Sequence, residues 1–178
     1  MKAIAIAACL LALGLVPAEA ALAVGAKAPD FSAKASLGGK EFDFSLSEAL
    51  KTGPVVLYFY PAAFTKGCTI EAHDFAEATD QFKALGATVI GVSHDDVATL
   101  DKFSVSECRS KFAVAADPEG TVIKAYDAKL SALLPYSART SYVIAPDHTV
   151  LLEYTAMSPD EHVSRTMDAV KKWKEAHR

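Results

Sequence analysis

Cysteine is scarce in this chain, with three among 178 residues, at positions 9, 68 and 108. So few thiols exclude a disulfide-stapled scaffold. The two beyond the N-terminal segment form one pair, structural or redox-active, or stand as two separate thiols. Closely spaced Cys-x-x-Cys is absent, which removes the usual zinc signature and the two-thiol motif of a disulfide reductase. Excess charge is missing as well. Eighteen Lys and Arg stand against 22 Asp and Glu for a net charge of −4, and only Lys171-Lys172 are adjacent near the end. That balance gives no support for binding nucleic acid or an anionic lipid surface. Internal repeats, low-complexity tracts and Pro/Gly/Ser linkers are also lacking, so one domain is the economical reading.

Long apolar runs are absent but for one at the N-terminus. Lys2 supplies a positive charge, Ala3 to Val16 is continuously apolar, Pro17 breaks the run, and Ala18-Glu19-Ala20 offers small residues. This is the tripartite pattern of a secretory signal. Its ~14 apolar residues fall short of the ~20 that span a bilayer. The expectation is an exported, periplasmic protein cut near Ala20, with Ala21-Leu22-Ala23 as a second fit. Residues 21–178 then form one domain with the net charge unchanged, since the removed segment carries one Lys and one Glu. No later stretch is long and apolar enough to span a membrane.

Turn formers and small residues from Gly25 to Gly39 read as an irregular arm or short hairpin. After Gly53-Pro54, the run Val55 to Tyr60 reads as a strand buried on both faces, ended by Pro61. Spacing turns helical from about Gly67 to Leu85, with Gly86 as a stop. A second buried strand covers Thr88 to Ser93, and Asp95-Asp96 offer the cap of a helix bearing Val97, Leu100 and Phe103. A short strand at Phe112–Ala116 precedes a helix from Glu119 to Tyr126. Thr140–Ala145 and Thr149–Tyr154 form a hairpin, and Ser158-Pro159 opens a last helix. Strands alternating with helices indicate an α/β fold with a mixed sheet.

The informative segment is Tyr60-Pro61-Ala62-Ala63-Phe64-Thr65-Lys66-Gly67-Cys68-Thr69. Cys68 falls in the first turn of a helix that follows a buried strand. Only a thiolate is a useful nucleophile, and free amides with the helix dipole favour it there. Gly67 lets backbone approach a small substrate. The Thr65 hydroxyl is placed to cap the helix or to reach the thiolate, and Pro61 removes an N–H and fixes the loop. A buried, inert cysteine beside an ordinary capping threonine fits the same residues.

Pro61, Thr65 and Cys68 stand in Pro-x-x-x-Thr-x-x-Cys spacing, which resembles the peroxiredoxins. Gly25 to Phe31 looks like that family's N-terminal segment, Asp117-Pro118-Glu119-Gly120 like its later turn, and Arg139 to Ile144 like the strand bringing in its arginine. The bacterioferritin-comigratory, or Q-type, branch is the most similar. The resemblance implies a thioredoxin-like fold with a central mixed sheet, no cofactor or metal, and reduction of H2O2 or organic hydroperoxides. Cys68 would be the peroxidatic nucleophile, passing through a sulfenic acid. Arg139 would hold the thiolate and polarise the peroxide. Thr65 would hydrogen-bond peroxide and sulfur, Pro61 would shield the thiolate, and the amides of Gly67 and Cys68 would stabilise the departing oxygen. A thioredoxin-like or other thiol would be the reductant, and the protein a monomer or weak homodimer.

Many Q-type members carry a resolving cysteine five residues after the nucleophile, where this chain has His73. Cys108 is the remaining candidate. The helix from Asp95 should carry it ~18 Å from the strand end, beyond the ~7 Å reach of a disulfide. A one-cysteine mechanism with an external thiol is the competing expectation. Among rival functions, a disulfide reductase lacks its second cysteine, because Glu71 stands three residues after Cys68. A metal carrier or redox partner without peroxidase activity would have to rely on Cys68, His73 and His94.

Overall fold

A computed structural model describes residues 21–177; the expected signal segment lies outside them. The fold is organised around strand β3 (Val55–Phe59), in which every residue is buried. Its side chains alternate between two cores, Val55, Leu57 and Phe59 on one face and Val56 and Tyr58 on the other. Its two edges are also occupied. β4 (Thr88–Ser93) pairs with it in parallel and β6 (Thr140–Ile144) antiparallel. Outward from β4 come β5 (Ala113–Ala116), β1 (Ser32–Leu37) and β2 (Lys40–Ser45), and outward from β6 comes β7 (Val150–Thr155). The result is a mixed seven-stranded sheet in the order β2-β1-β5-β4-β3-β6-β7, as the alternation of elements implies.

Helices α2 (Lys66–Ala84), α3 (Val97–Ser106) and α5 (His162–Ala176) cover one face through Phe75, Phe82, Leu100, Phe103, Met167 and Val170. Each fully buried Phe or Leu contributes about 2–3 kcal/mol. The shorter α1 (Leu46–Leu50) and α4 (Thr121–Ala125) close the other face with Leu46, Leu50, Val122 and Ile123. Because β3-α2-β4-α3-β5 is a run of parallel crossovers, α2 starts at the carboxyl end of β3, where open α/β sheets place their sites.

Three local differences from the sequence reading have physical causes. Residues 25–39 do lead into a hairpin, but its second strand, Lys40–Ser45, extends past Gly39. Gly38 and Gly39 form its turn, both at positive φ (59° and 75°), a conformation that excludes most side chains. α1 is too short to leave a periodic signal. The last helix starts at His162 rather than at Ser158-Pro159. Ser158 Oγ bonds Asp160 Oδ2, and His162 N donates to Pro159 O, so the intervening residues form a turn anchored by the buried His162 ring.

Candidate active site

The β3 ladder ends where Tyr60 N donates to Val92 O at 3.1 Å, because Pro61 has no N–H to continue it. The chain then turns through Phe64, whose φ of 63° is left-handed and costs an ordinary residue about 1–2 kcal/mol. That conformation is held from two sides. The Phe64 ring packs edge-on against Phe103 with centroids 5.2 Å apart. Ala63 N donates to Asp95 Oδ2 at 2.8 Å, and Ser93 Oγ donates to the same oxygen. Asp96 alone caps α3, accepting from Thr99 N at 2.7 Å, so Asp95 is free to tie the Cys68 loop to the end of β4. Sequence reading placed both aspartates at the cap.

Thr65 is the N-cap residue of α2 by position, yet its hydroxyl neither caps the helix nor reaches the thiol. The side chain is exposed, and Oγ1 donates to Ala62 O at 3.0 Å. Both expected contacts are thereby corrected: the bond is spent bracing the turn. Cys68, in the first turn of α2, is 1 % exposed. The first amides of the helix, Gly67 and Cys68 among them, have no intrahelical partner. The first intrahelical bond of this turn runs from Thr69 N to Thr65 O.

Arg139 reaches Cys68 because it immediately precedes β6, the neighbour of β3 in the sheet. Arg139 is 3 % exposed and three of its nitrogens are used. Nη2 donates to Cys68 Sγ at 3.5 Å, Nε to Met157 O at 3.0 Å, and Nη1 to Glu71 Oε2. Burial works against the cation, but the charges of Glu71 and Cys68 outweigh it, leaving its pKa raised. The same placement explains Gly67. A Cβ there would sit 2.9 Å from Arg139 Nη2, so the glycine makes room for the arginine. Gly67→Ala should leave stability near wild type, since alanine favours helix by about 1 kcal/mol. It should cut turnover about tenfold by displacing the guanidinium. Thermal melts and peroxide-consumption rates on the same preparation check both halves.

Glu71 was overlooked as a site residue, although a charged group three residues after Cys68 must share its helix face. It is fully buried, and burial pushes its carboxyl up to about 8 against the opposing pull of Arg139. Oε2 has Arg139; Oε1 has no hydrogen-bond partner and lies 3.7 Å from His162 Nδ1. His162, also fully buried, has Nε2 at 2.9 Å from Ala156 O and Nδ1 at 2.8 Å from Ser141 Oγ. A carbonyl can only accept, so Nε2 carries the proton. Burial lowers the His162 pKa, which leaves Nδ1 bare, accepting from Ser141.

The matching family model is the AhpC/TSA family, over residues 24–152. This chain belongs to that peroxiredoxin family. It is 37% identical over 126 residues to a putative peroxiredoxin of Mycobacterium tuberculosis, across 68% of this chain and 80% of that one. It is 37% identical over 147 residues to the chloroplastic peroxiredoxin Q of Gentiana triflora, covering 80% of this chain and 64% of the other. The crystal structure of peroxidoxin BcpB from Mycobacterium tuberculosis superposes with a TM-score of 0.77 at 32% identity, over 84% of this chain and 96% of that one. The fold is therefore thioredoxin-like, and the protein is a thiol-dependent peroxidase, an oxidoreductase.

Peroxiredoxins need their oxidised cysteine reduced again, which directs attention to Cys108. It lies just past α3, fully buried, with its thiol pushed well up by burial and by Glu107. Neither Cys68 nor Cys108 is in a disulfide. Three side-chain contacts fasten the Cys108 segment along α2: His73 Nε2 to Glu107 Oε2 at 2.9 Å, and the ion pairs Glu77–Arg109 at 3.1 Å and Asp80–Lys111 at 3.0 Å. The first rung sets Cys108 at the level of His73, about 8 Å down the helix axis from Cys68. α3 does carry Cys108 away from the strand end, but α2 runs down beside it, so both thiols belong to one apolar cluster. Cys68, His73 and His94 are not brought together: His73 faces Glu107, and the His94 ring lies edge-on to Tyr136. Among the described residues no three His, Cys, Asp or Glu side chains form a group able to hold a metal ion.

Proposed function

We propose that Cys68 is the peroxidatic thiolate and that an external thiol, rather than Cys108, returns it to the reduced state. The observation carrying the first half is the 3.5 Å contact between Cys68 Sγ and a buried, permanently charged Arg139. A guanidinium so fixed stabilises the thiolate and is aimed at the charge that develops when the O–O bond breaks. Attack by sulfur on the terminal peroxide oxygen gives the Cys68 sulfenic acid and an alkoxide or hydroxide. The Gly67 and Cys68 amides, at the helix start, supply further donors for the departing oxygen. Pro61, half-buried at the end of β3, limits water at the sulfur. Thr65 acts by bracing the loop and by offering its exposed hydroxyl oxygen to a bound peroxide.

The second half rests on Cys108 being buried, with its thiol held protonated and its segment tied to α2 by three side-chain contacts. A thioredoxin-like protein or a small thiol, reaching Cys68 from the loop side, is the economical donor. Resolution by Cys108 has one observation in its favour. Arg109 and Ser110, directly after it, both have positive φ (49° and 55°), so opening the segment would relieve strain. Turnover with a small thiol reductant decides between the two. Cys108→Ala should keep the wild-type rate within about twofold; a collapse of turnover in a folded variant would make Cys108 the resolving residue.

The same reading includes export, with cleavage after Ala20. Ala21 and Leu22 pack against the core, and Leu22 N donates to Tyr142 Oη at 3.3 Å, which favours that cut over one at Ala23. Sequencing the N-terminus of protein recovered from a periplasmic fraction tests it.

A further inference from the structure

We propose that Cys68 and Glu71 share a single negative charge on Arg139, and that the Glu71–His162 pair holds a proton whenever Cys68 is a thiolate. The cluster contains one permanent cation, the Arg139 guanidinium, placed between Cys68 Sγ and Glu71 Oε2. A thiolate and a carboxylate together would leave one uncompensated negative charge among groups that are all nearly or completely buried, which is costly.

The geometry shows where the missing proton belongs. Glu71 Oε1 has no hydrogen-bond partner, and at 3.7 Å it faces His162 Nδ1. With the ring proton committed to Ala156 O and the Nδ1 lone pair to Ser141 Oγ, His162 donates nothing to Oε1. A buried carboxylate oxygen left without a donor is costly, and protonation of the carboxyl removes that cost. Four other charged or titratable groups bear on Glu71, and a single one of them opposes its protonation. Asp74, on α2, adds negative charge that favours the protonated acid. Tyr58, behind on β3, is itself buried and neutral. Arg139, before β6, is the single cation opposing protonation, and it is shared with Cys68. From α5, His162 is neutral. The acid pushed up to about 8 agrees with this arrangement.

The catalytic use follows if Cys68 is the peroxidatic cysteine; the charge sharing itself does not depend on that reading. Thiolate attack forms an S–O bond and breaks the O–O bond. The thiolate is lost, an alkoxide is released, and Arg139 loses one of its two anionic claimants. Glu71 then ionises against Arg139, and its proton balances the alkoxide: Cys-S⁻ + ROOH + Glu-COOH gives Cys-SOH + ROH + Glu-COO⁻. The buried cluster stays neutral before and after. Glu71 is thus a positioning residue with a proton reservoir, acting through Arg139.

Difference infrared spectroscopy of the whole protein at neutral pH reads this directly. The protonated-carboxyl C=O band should be present in the reduced wild type. It should be weaker by one carboxyl in Cys68→Ser, where Glu71 alone claims Arg139. The band should also disappear from the wild type when H2O2 is added. Glu71→Gln keeps an oxygen for Arg139 but has nothing to titrate. It should lack the band in every state and show more thiolate ultraviolet absorbance at the same pH. A reduced wild type without that band, or a band unchanged between wild type and Cys68→Ser, overturns the proposal. Neither comparison needs Glu71→Gln to fold. If the resting-state bands behave as stated while Cys68→Ser still consumes peroxide, it is the peroxidatic assignment that fails.

Discussion

Replacing Cys68 by Ser is expected to bring peroxide consumption down by about 10⁴-fold or more, to the uncatalysed background, in a protein that melts close to wild type. The size of the effect comes from chemistry rather than folding. A serine hydroxyl is scarcely ionised at neutral pH and is a poor nucleophile toward a peroxide oxygen. No neighbouring side chain substitutes for the sulfur. Cys108 is the other thiol among the described residues, and it is buried with its pKa raised. The steric change is small, and Arg139 keeps its bonds to Glu71 and Met157 O. Stability therefore separates from activity in this variant. A matched loss of both would mean that Cys68 serves the core.

Arg139→Ala should lower turnover by about 10²–10³, the usual cost of removing one preorganised donor from a developing charge. It should also destabilise the protein, for a reason visible in the surroundings of Glu71. Removing one partner of a buried pair commonly costs about 3–5 kcal/mol, because a charge is stranded. Here part of that cost is avoided because Glu71 stays protonated once Arg139, which supplies both influences that hold its pKa down, is gone. We expect a loss of about 2 kcal/mol, the order of leaving Met157 O without its donor and a cavity behind. Arg139→Lys should recover little activity. An ammonium is a point charge and cannot contact Cys68, Glu71 and Met157 O together as the planar fork does. Chemical denaturation with peroxide kinetics checks both, and a lysine variant near wild-type turnover would contradict the three-way role given to the guanidinium.

Much of this was legible in the sequence, for identifiable reasons. The two-sided strand Val55–Phe59 announces itself by an unbroken β-branched and aromatic run, and the following helix by its three- and four-residue spacing. Its position after that strand makes Cys68 a candidate, and the spacing with Pro61 and Thr65, together with Arg139 before a later strand, carries the resemblance that singles both out. What stayed hidden depends on contacts between segments far apart in the chain. Glu71 looked like a failed second cysteine until the sheet brought Arg139 against it. His162, 91 positions later, carries no local motif at all. Asp95 and Asp96 are indistinguishable as capping candidates until Ala63 claims one of them. The Thr65 hydroxyl is locally free to point three ways, and only the turn at Phe64, with its left-handed backbone, directs it to Ala62 O.

The most direct test of the central claim is to treat the reduced protein with one equivalent of H2O2 in the presence of dimedone and locate the adduct by mass spectrometry. A single adduct on Cys68, absent when H2O2 is omitted, is the predicted result and identifies the sulfenic acid where Arg139 and the α2 amides converge. An adduct on Cys108, or none on Cys68 with both thiols unchanged, would contradict it.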